Sequence, residues 1–361
     1  MGEALKVELD IENQGRGIGS MLVRDIPPPQ ARVVRGSTAL LCSLKNGGKA
    51  RLRYEVVFDE PGEFEFLESV ATVTSPFGLW EGSASVSAPL TVRVYPKRAP
   101  RPVQAGRARA LAWTGTTASK YRGGTVEFMD IRGYTRGDPL KSINWKASAR
   151  SGRTLVNEWQ ADRGLDCVIL VDLSPRNLPK VGDWSARTSV IGASYELAGS
   201  LLDSGNRVGM LVMGDILYKV RPGFGSRHLR RMVECLVDAR EGEVWSLEHA
   251  EPFLELFFRR QYSTRGGTLF FVMAGPDQLA IDTVGALSGR GFVCNTVLVN
   301  TVQEEKRGLL TWGYVDARRA AFGERLASLE MDAYRAEFSR FSKVYEWTDS
   351  GGFSEPGRRR S

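Results

Sequence analysis

Histidine is almost missing from these 361 residues, which contain only His228 and His249. Two imidazoles nearly exclude a multi-histidine metal site, and they give little footing to a histidine-dependent serine or cysteine triad. Cysteine is scarce too: Cys42, Cys167, Cys235 and Cys294 lie far apart, with no Cys-x-x-Cys spacing. Cys167 and Cys294 fall inside apolar runs, where a thiol behaves as a small hydrophobe, so reduced thiols are expected rather than disulfides. No run reaches the roughly 18 to 20 apolar residues of a membrane span, and no secretory leader opens the chain. A cytoplasmic protein is the expectation, although a strand pattern begins at once at Leu5, as though upstream sequence were missing.

What is present is ordinary in bulk. Hydrophobic residues make up 42% and charged residues 25%, and the net charge of +7 permits contact with anionic membrane or nucleic acid without requiring it. The length favours two or three domains. Over residues 5–96, Val7, Leu9 and Ile11 alternate with charged neighbours, as do Leu52, Tyr54, Val56 and Phe58, then Leu90, Val92 and Val94. Period-two alternation buries one face of a strand, and Pro27-Pro28-Pro29, Asn46-Gly47-Gly48 and Pro61-Gly62 supply turns. An immunoglobulin-like β-sandwich is predicted. Residues 97–126 carry Lys97, Arg98, Arg101, Arg107, Arg109, Lys120 and Arg122 with no acid, which reads as a linker or as a strap for an acidic or anionic surface.

From residue 166 to 350 the pattern alternates strand and helix. DCVILVDLS, VGMLVM, TLFFVMA and FVCNTVLV are continuous apolar runs, the signature of strands covered on both faces. Helical stripes follow near 187–204, from Leu229 to Val237, and over 324–342. A mostly parallel, doubly wound sheet is predicted, with residues 351–361 as a disordered basic tail. Ligands of such sheets bind outside the carboxyl ends of the strands. There the first strand carries Asp172, Ser174 and Arg176, a partial match to the Asp-x-Ser-x-Ser motif by which von Willebrand factor A domains hold magnesium. Ser226 is assigned to the position of that motif's threonine. Arg176 replaces the second serine, and the strand ending Val272-Met273-Ala274-Gly275 lacks the motif's later acid. A guanidinium cannot ligate a cation, so two readings of this degenerate site stand. In one, Arg176 fills the vacant position and pairs with Asp172. In the other, the favoured one, Asp172 and Ser174 satisfy backbone groups of the loop and cap the following turn. No cofactor is expected; magnesium is the one metal the residues suggest. Asp162, Asp166 and Asp172 flank a strand without a nucleophile or base beside them, so no enzyme is expected.

The densest pattern is EFMDIRGYTRGDPLKSINWKASARSGRTLVNE, from Glu127 to Glu158. Gly137-Asp138-Pro139 forms a turn, and Asp138 is the single acid among six basic residues from Arg132 to Arg153. Asp138 is therefore expected to pair with Arg132 or Arg150, and Ile143 and Trp145 to bury together. The favoured reading is an adaptor that fixes the two domains with its arginines paired internally. The alternative leaves cations such as Arg136 and Lys141 to receive acidic groups of a partner. Tyr121, Tyr134 and Trp145 among arginines permit base stacking, but no nucleic-acid-binding motif accompanies them.

The ordered succession Arg132, Tyr134, Gly137, Asp138, Ile143, Asn144, Trp145, Ala149 and Arg150, leading to Val171-Asp172-Leu173-Ser174, resembles the family catalogued as domain of unknown function 58. The likeness extends to Ser75-Pro76-Phe77-Gly78-Leu79-Trp80 upstream and to Gly205-Asn206-Arg207-Val208-Gly209 downstream. The resemblance implies a β-domain, a hallmark segment over 97–165, and a von Willebrand A-like domain. It implies a non-enzymatic adaptor working with a MoxR-type AAA+ ATPase or its client in protein assembly or activation. It also implies that longer forms carry two membrane helices facing the soluble part to the cytoplasm. A magnesium-dependent adhesion protein is the alternative, and a nucleic-acid binder the second.

Overall fold

The computed structural model describes residues 2–96, 126–135, 143–161, 166–182, 184–243 and 267–354. Seven strands open the chain: β1 (Leu5–Glu12), β2 (Ile18–Asp25), β3 (Ala31–Gly36), β4 (Ala39–Leu44), β5 (Lys49–Phe58), β6 (Gly62–Thr74) and β7 (Glu81–Val94). They form two antiparallel sheets, ordered β1-β5-β3 and β4-β2-β6-β7. Leu52, Tyr54, Val56 and Phe58 of the first sheet share a core with Phe66 and Val94 of the second, which is why those positions alternate in sequence. A buried polar link joins the layers. Tyr54 donates to Asp25 at 2.5 Å and Ser69 donates to the other carboxylate oxygen at 2.8 Å.

A separate hairpin follows, in which β8 (Val126–Gly133) pairs antiparallel with β9 (Leu155–Ala161), and helix α1 (Trp145–Ser151) lies between them.

The remainder forms a seven-stranded sheet ordered β14-β13-β10-β15-β16-β17-β18. Its members are β10 (Asp166–Asp172), β13 (Arg207–Met213), β14 (Leu217–Gly223), β15 (Thr268–Met273), β16 (Val293–Val299), β17 (Lys343–Thr348) and β18 (Gly352–Ser354). The five inner strands are parallel, and β14 and β18 run antiparallel at the edges. Cys167, Ile169 and Val171 pack on α2 (Ala186–Asp203) and α3 (Gly225–Asp238). Val168 and Leu170 point the other way, toward α4 (Gln278–Gly289) and α6 (Ala317–Phe338). Both faces are covered, as the continuous apolar runs require. α5 (Val302–Thr311) pairs with α6 as a helical hairpin beside the β11 (Lys180–Val181) and β12 (Trp184–Ser185) ribbon.

The doubly wound fold behind an N-terminal antiparallel unit is thus the one expected. The start of the expected tail is a correction, while residues 355–361 of it lie outside the described residues. β18 folds back on β17, Trp347 opposite Phe353, and Phe353 packs on the core, so residues 352–354 belong to the α/β unit. The turn that reverses it rests on Thr348, whose hydroxyl accepts the Gly351 amide at 2.9 Å, and on Gly352 at φ +66°. The four cysteines are free thiols, with Cys167 and Cys294 buried. Burial pushes the Cys235 and Cys294 thiols up to about 12. Among the described residues, no helix is long and apolar enough to cross a membrane.

Candidate functional site

From β10 the chain first moves to β13 on one side of the sheet, then crosses to β15 on the other. The switch point lies between β10 and β15, and the crevice outside their carboxyl ends is where such a sheet takes a ligand. Asp172, Ser174 and Asn177 line the β10 side, all buried. One Asp172 oxygen accepts the Ser174 amide at 2.9 Å and the Ser174 hydroxyl at 2.5 Å. The other accepts the Asn177 side-chain amide at 2.7 Å. The loop is tied across the crevice as well, because the Gly275 amide donates to the Asn177 carbonyl at 2.9 Å.

Asp172 thus accepts a backbone amide of its own loop, the favoured reading, and the side chain that pairs with its other oxygen is Asn177 rather than Arg176. Arg176 is exposed on the short 3-10 turn Pro175–Asn177. A buried carboxylate draws the neutral amide because a guanidinium there would itself need desolvating. Nothing in the sequence singles out Asn177, since its place depends on the turn that Pro175 starts.

Ser226 is placed elsewhere altogether. β14 runs antiparallel, with Leu217 opposite Met213 and Gly223 opposite Val208. Ser226, just beyond Gly223, thus lies at the amino end of the parallel strands. Val208 pairs with Cys167, and five residues separate that level from Asp172, roughly 16 Å at strand rise. Ser226 is no part of the crevice. Spacing along the chain could not reveal this, because it depends on the direction of one edge strand.

The crevice rim is polar. Asp215 follows β13, and its amide donates to the Arg240 carbonyl at 3.2 Å. Lys180 and Ser185 both contact Glu241. Toward the far edge, Ser189 donates to Asp349 at 2.7 Å, and burial raises the pKa of Glu304, with the Asp349 charge contributing. Sequence reasoning also missed Arg187. Its guanidinium donates to the Pro61 carbonyl at 2.8 Å and to the Ala239 carbonyl at 2.7 Å, joining the β-unit to the α/β unit beside the crevice. Burial lowers its pKa from the usual value. Arg93 adds a second tie, to Glu63 at 2.7 Å and to Asp238 at 3.8 Å.

Of the hallmark residues, Arg136, Gly137, Asp138 and Lys141 lie outside the described residues, and with them the expected Asp138 pairing. Arg132 stands on β8 opposite Val156. Tyr134 and Arg150 are exposed. Asn144 caps α1, its side-chain oxygen accepting the Ala147 amide at 3.0 Å. Ile143 is buried in a bridge to Val156, but Trp145 is 70% exposed. The two do not bury together, because the cap turns the chain from strand to helix between them and the alternation ends there.

A family model described as Protein of unknown function DUF58 matches residues 130–344. No curated protein matches the chain. Among solved structures it is similar to the conserved hypothetical protein BatB from Bacteroides thetaiotaomicron, at 15% identity and TM-score 0.28, over 38% of this chain and 67% of that one. An aerotolerance-related membrane protein from Bacteroides fragilis is similar at 15% identity and TM-score 0.27, over 37% and 67%. The SpRpn10 VWA domain is similar at 9% identity and TM-score 0.27, over 38% and 76%.

Proposed function

The chain belongs to the family described as protein of unknown function DUF58, and from that membership we propose that it is a non-enzymatic protein-interaction module. Its partner is a MoxR-type AAA+ ATPase or that enzyme's client, and its task is assembly or activation of other proteins. The observation that supports this most is the state of the Asp172 carboxylate. Both of its oxygens are engaged by Ser174 and Asn177 within the same loop. A carboxylate so engaged holds the crevice in shape rather than offering open coordination positions or a free base. What faces outward at the crevice is a polar rim with the exposed Arg176, and the hallmark sequence adds Arg136 and Lys141, cations suited to acidic groups on a protein.

The test is co-purification of the full chain with the AAA+ ATPase encoded nearest its gene. Arg136→Glu with Lys141→Glu, and separately Arg176→Glu, should each weaken capture several-fold and make the remaining binding less salt-sensitive, with the melting temperature unmoved. Capture unchanged by either variant removes these surfaces from the interaction.

A further inference from the structure

The hairpin joining β6 to β7 ends in Ser75-Pro76-Phe77-Gly78-Leu79-Trp80, and the side chains of Phe77, Leu79 and Trp80 face water. Phe77 is 96% exposed, Leu79 83% and Trp80 60%. The end is nevertheless well defined. The Ser75 amide donates to the Trp80 carbonyl, the Gly78 amide to the Ser75 carbonyl, and the Trp80 amide to the Ser75 hydroxyl, each at 3.0 Å. Phe77 sits at φ +66°, and among the described residues it is the one non-glycine in that region. A left-handed conformation is costly for a bulky side chain, and here the ring gains no burial in return.

Its place in the molecule is equally telling. The opposite end of the β-unit is fixed to the α/β unit through Pro61, Glu63 and Arg93. β6 runs 13 residues outward from Gly62, so the tip projects roughly 40 Å from that junction. Both arms are almost without charge near it: Glu81 is the one charged residue between Ser69 and Val92. Two more loops come to the same end, after β1 and after β4, because Ile18 of β2 pairs with Leu44. They carry Arg16 and Lys45, both exposed, and no ion pair holds either among the described residues; the nearby Glu12 is paired with Lys49.

From this geometry we infer that the β6–β7 tip is a wedge that inserts into the interfacial layer of an anionic lipid bilayer. The tip is convex, so a protein would have to supply a preformed cleft for it, whereas a bilayer yields around it. Phenylalanine at the apex with tryptophan at the base matches the depth preference of aromatic side chains at a membrane interface. Arg16 and Lys45 would then lie at headgroup level, where each basic residue adds attraction to anionic lipid. This reading is independent of the ATPase partnership.

Flotation of the full chain with phosphatidylcholine vesicles, and with vesicles also containing phosphatidylserine, tests it. The chain should float with both and favour the anionic ones. Phe77→Ser with Leu79→Ser should reduce partitioning at least about tenfold on both, while its melting temperature stays put. Arg16→Glu with Lys45→Glu should abolish the anionic preference only. Brominated lipid should quench Trp80 fluorescence, a component missing from Trp80→Phe. The inference is overturned if the wild-type chain floats with neither vesicle, as a tip that docks in a protein cleft would behave. It is equally overturned if the Phe77 and Leu79 variant floats like wild type, since binding would then come from basic segments elsewhere. An anionic preference that survives Arg16→Glu with Lys45→Glu removes those two cations from the wedge.

Discussion

Two buried aspartates at opposite ends of β10 meet opposite fates. Asp172 is satisfied within its own loop, so removing a partner should cost more than removing an ordinary hydrogen bond. Asn177→Ala leaves one carboxylate oxygen buried without its donor, and should lower stability by about 1–3 kcal/mol in urea denaturation. A loss within error would mean that water replaces the amide at once. Asp166 has the weaker arrangement: Arg207 is 3.9 Å away, and burial outweighs that charge, pushing the carboxyl up to about 6. The sign follows from proton counting. Between pH 4 and pH 6 the unfolded chain has released this proton while the folded chain keeps it, so stability falls as pH rises across that window and levels off above it. Asp166→Asn should lack this fall, and the difference between the two denaturation curves at pH 4.5 and pH 7 measures it directly. At this scale the sequence was legible where chemistry is local. Asp172 and Ser174 do stand at the carboxyl end of the first parallel strand, but Asn177 and Ser226 are placed by a 3-10 turn and an edge strand's direction, which spacing does not encode.

Among elements, the long apolar strands were plain to read because burial on both faces leaves no other pattern. The hallmark segment was less so, since a helix of seven residues carries too little period to compete with apparent alternation. Its structure is set by two small polar side chains. Asn144 caps α1, while the Ser148 hydroxyl donates to the Asn144 carbonyl at 2.8 Å and accepts the Leu155 amide at 2.8 Å. These contacts fasten α1 to the start of β9 and hold Trp145 outward. Asn144→Ala should therefore cost about 1 kcal/mol of stability. Asn144→Asp should preserve it, since aspartate caps as well and adds charge favourable to a helix amino terminus. If the alanine variant melts as wild type does, α1 is held by Ile143 and Ser148 alone. The exposed Trp145 then becomes intelligible as a surface residue on a rigid mount, rather than as core.

On the scale of the whole molecule, the two units meet where the sequence offered no sign: a turn at Pro61-Gly62 and the start of α2. Arg187 reads as one more charged residue on a helix, yet it is part-buried and spends its guanidinium on one carbonyl from each unit. Hydrogen bonds from a charged donor to buried carbonyls exceed those between neutral groups, and both acceptors lose their partner together when the arginine goes. Arg187→Met keeps the aliphatic stem and removes both bonds, so the loss should fall on the junction and spare either core. The expected cost is about 2–4 kcal/mol. Because that junction is where the units share stability, calorimetry should show one transition for the wild-type chain and two for the variant, the α/β unit melting last on account of its larger buried sheet. The Arg93 tie is more exposed and partly screened, so Arg93→Ala should leave the single transition in place. A single transition in both variants would show that apolar contact, rather than Arg187, couples the β-unit to the crevice beside it. Two transitions in Arg187→Met alone would make this arginine the element through which an event at the crevice is felt by the β-unit, and so by its distant tip.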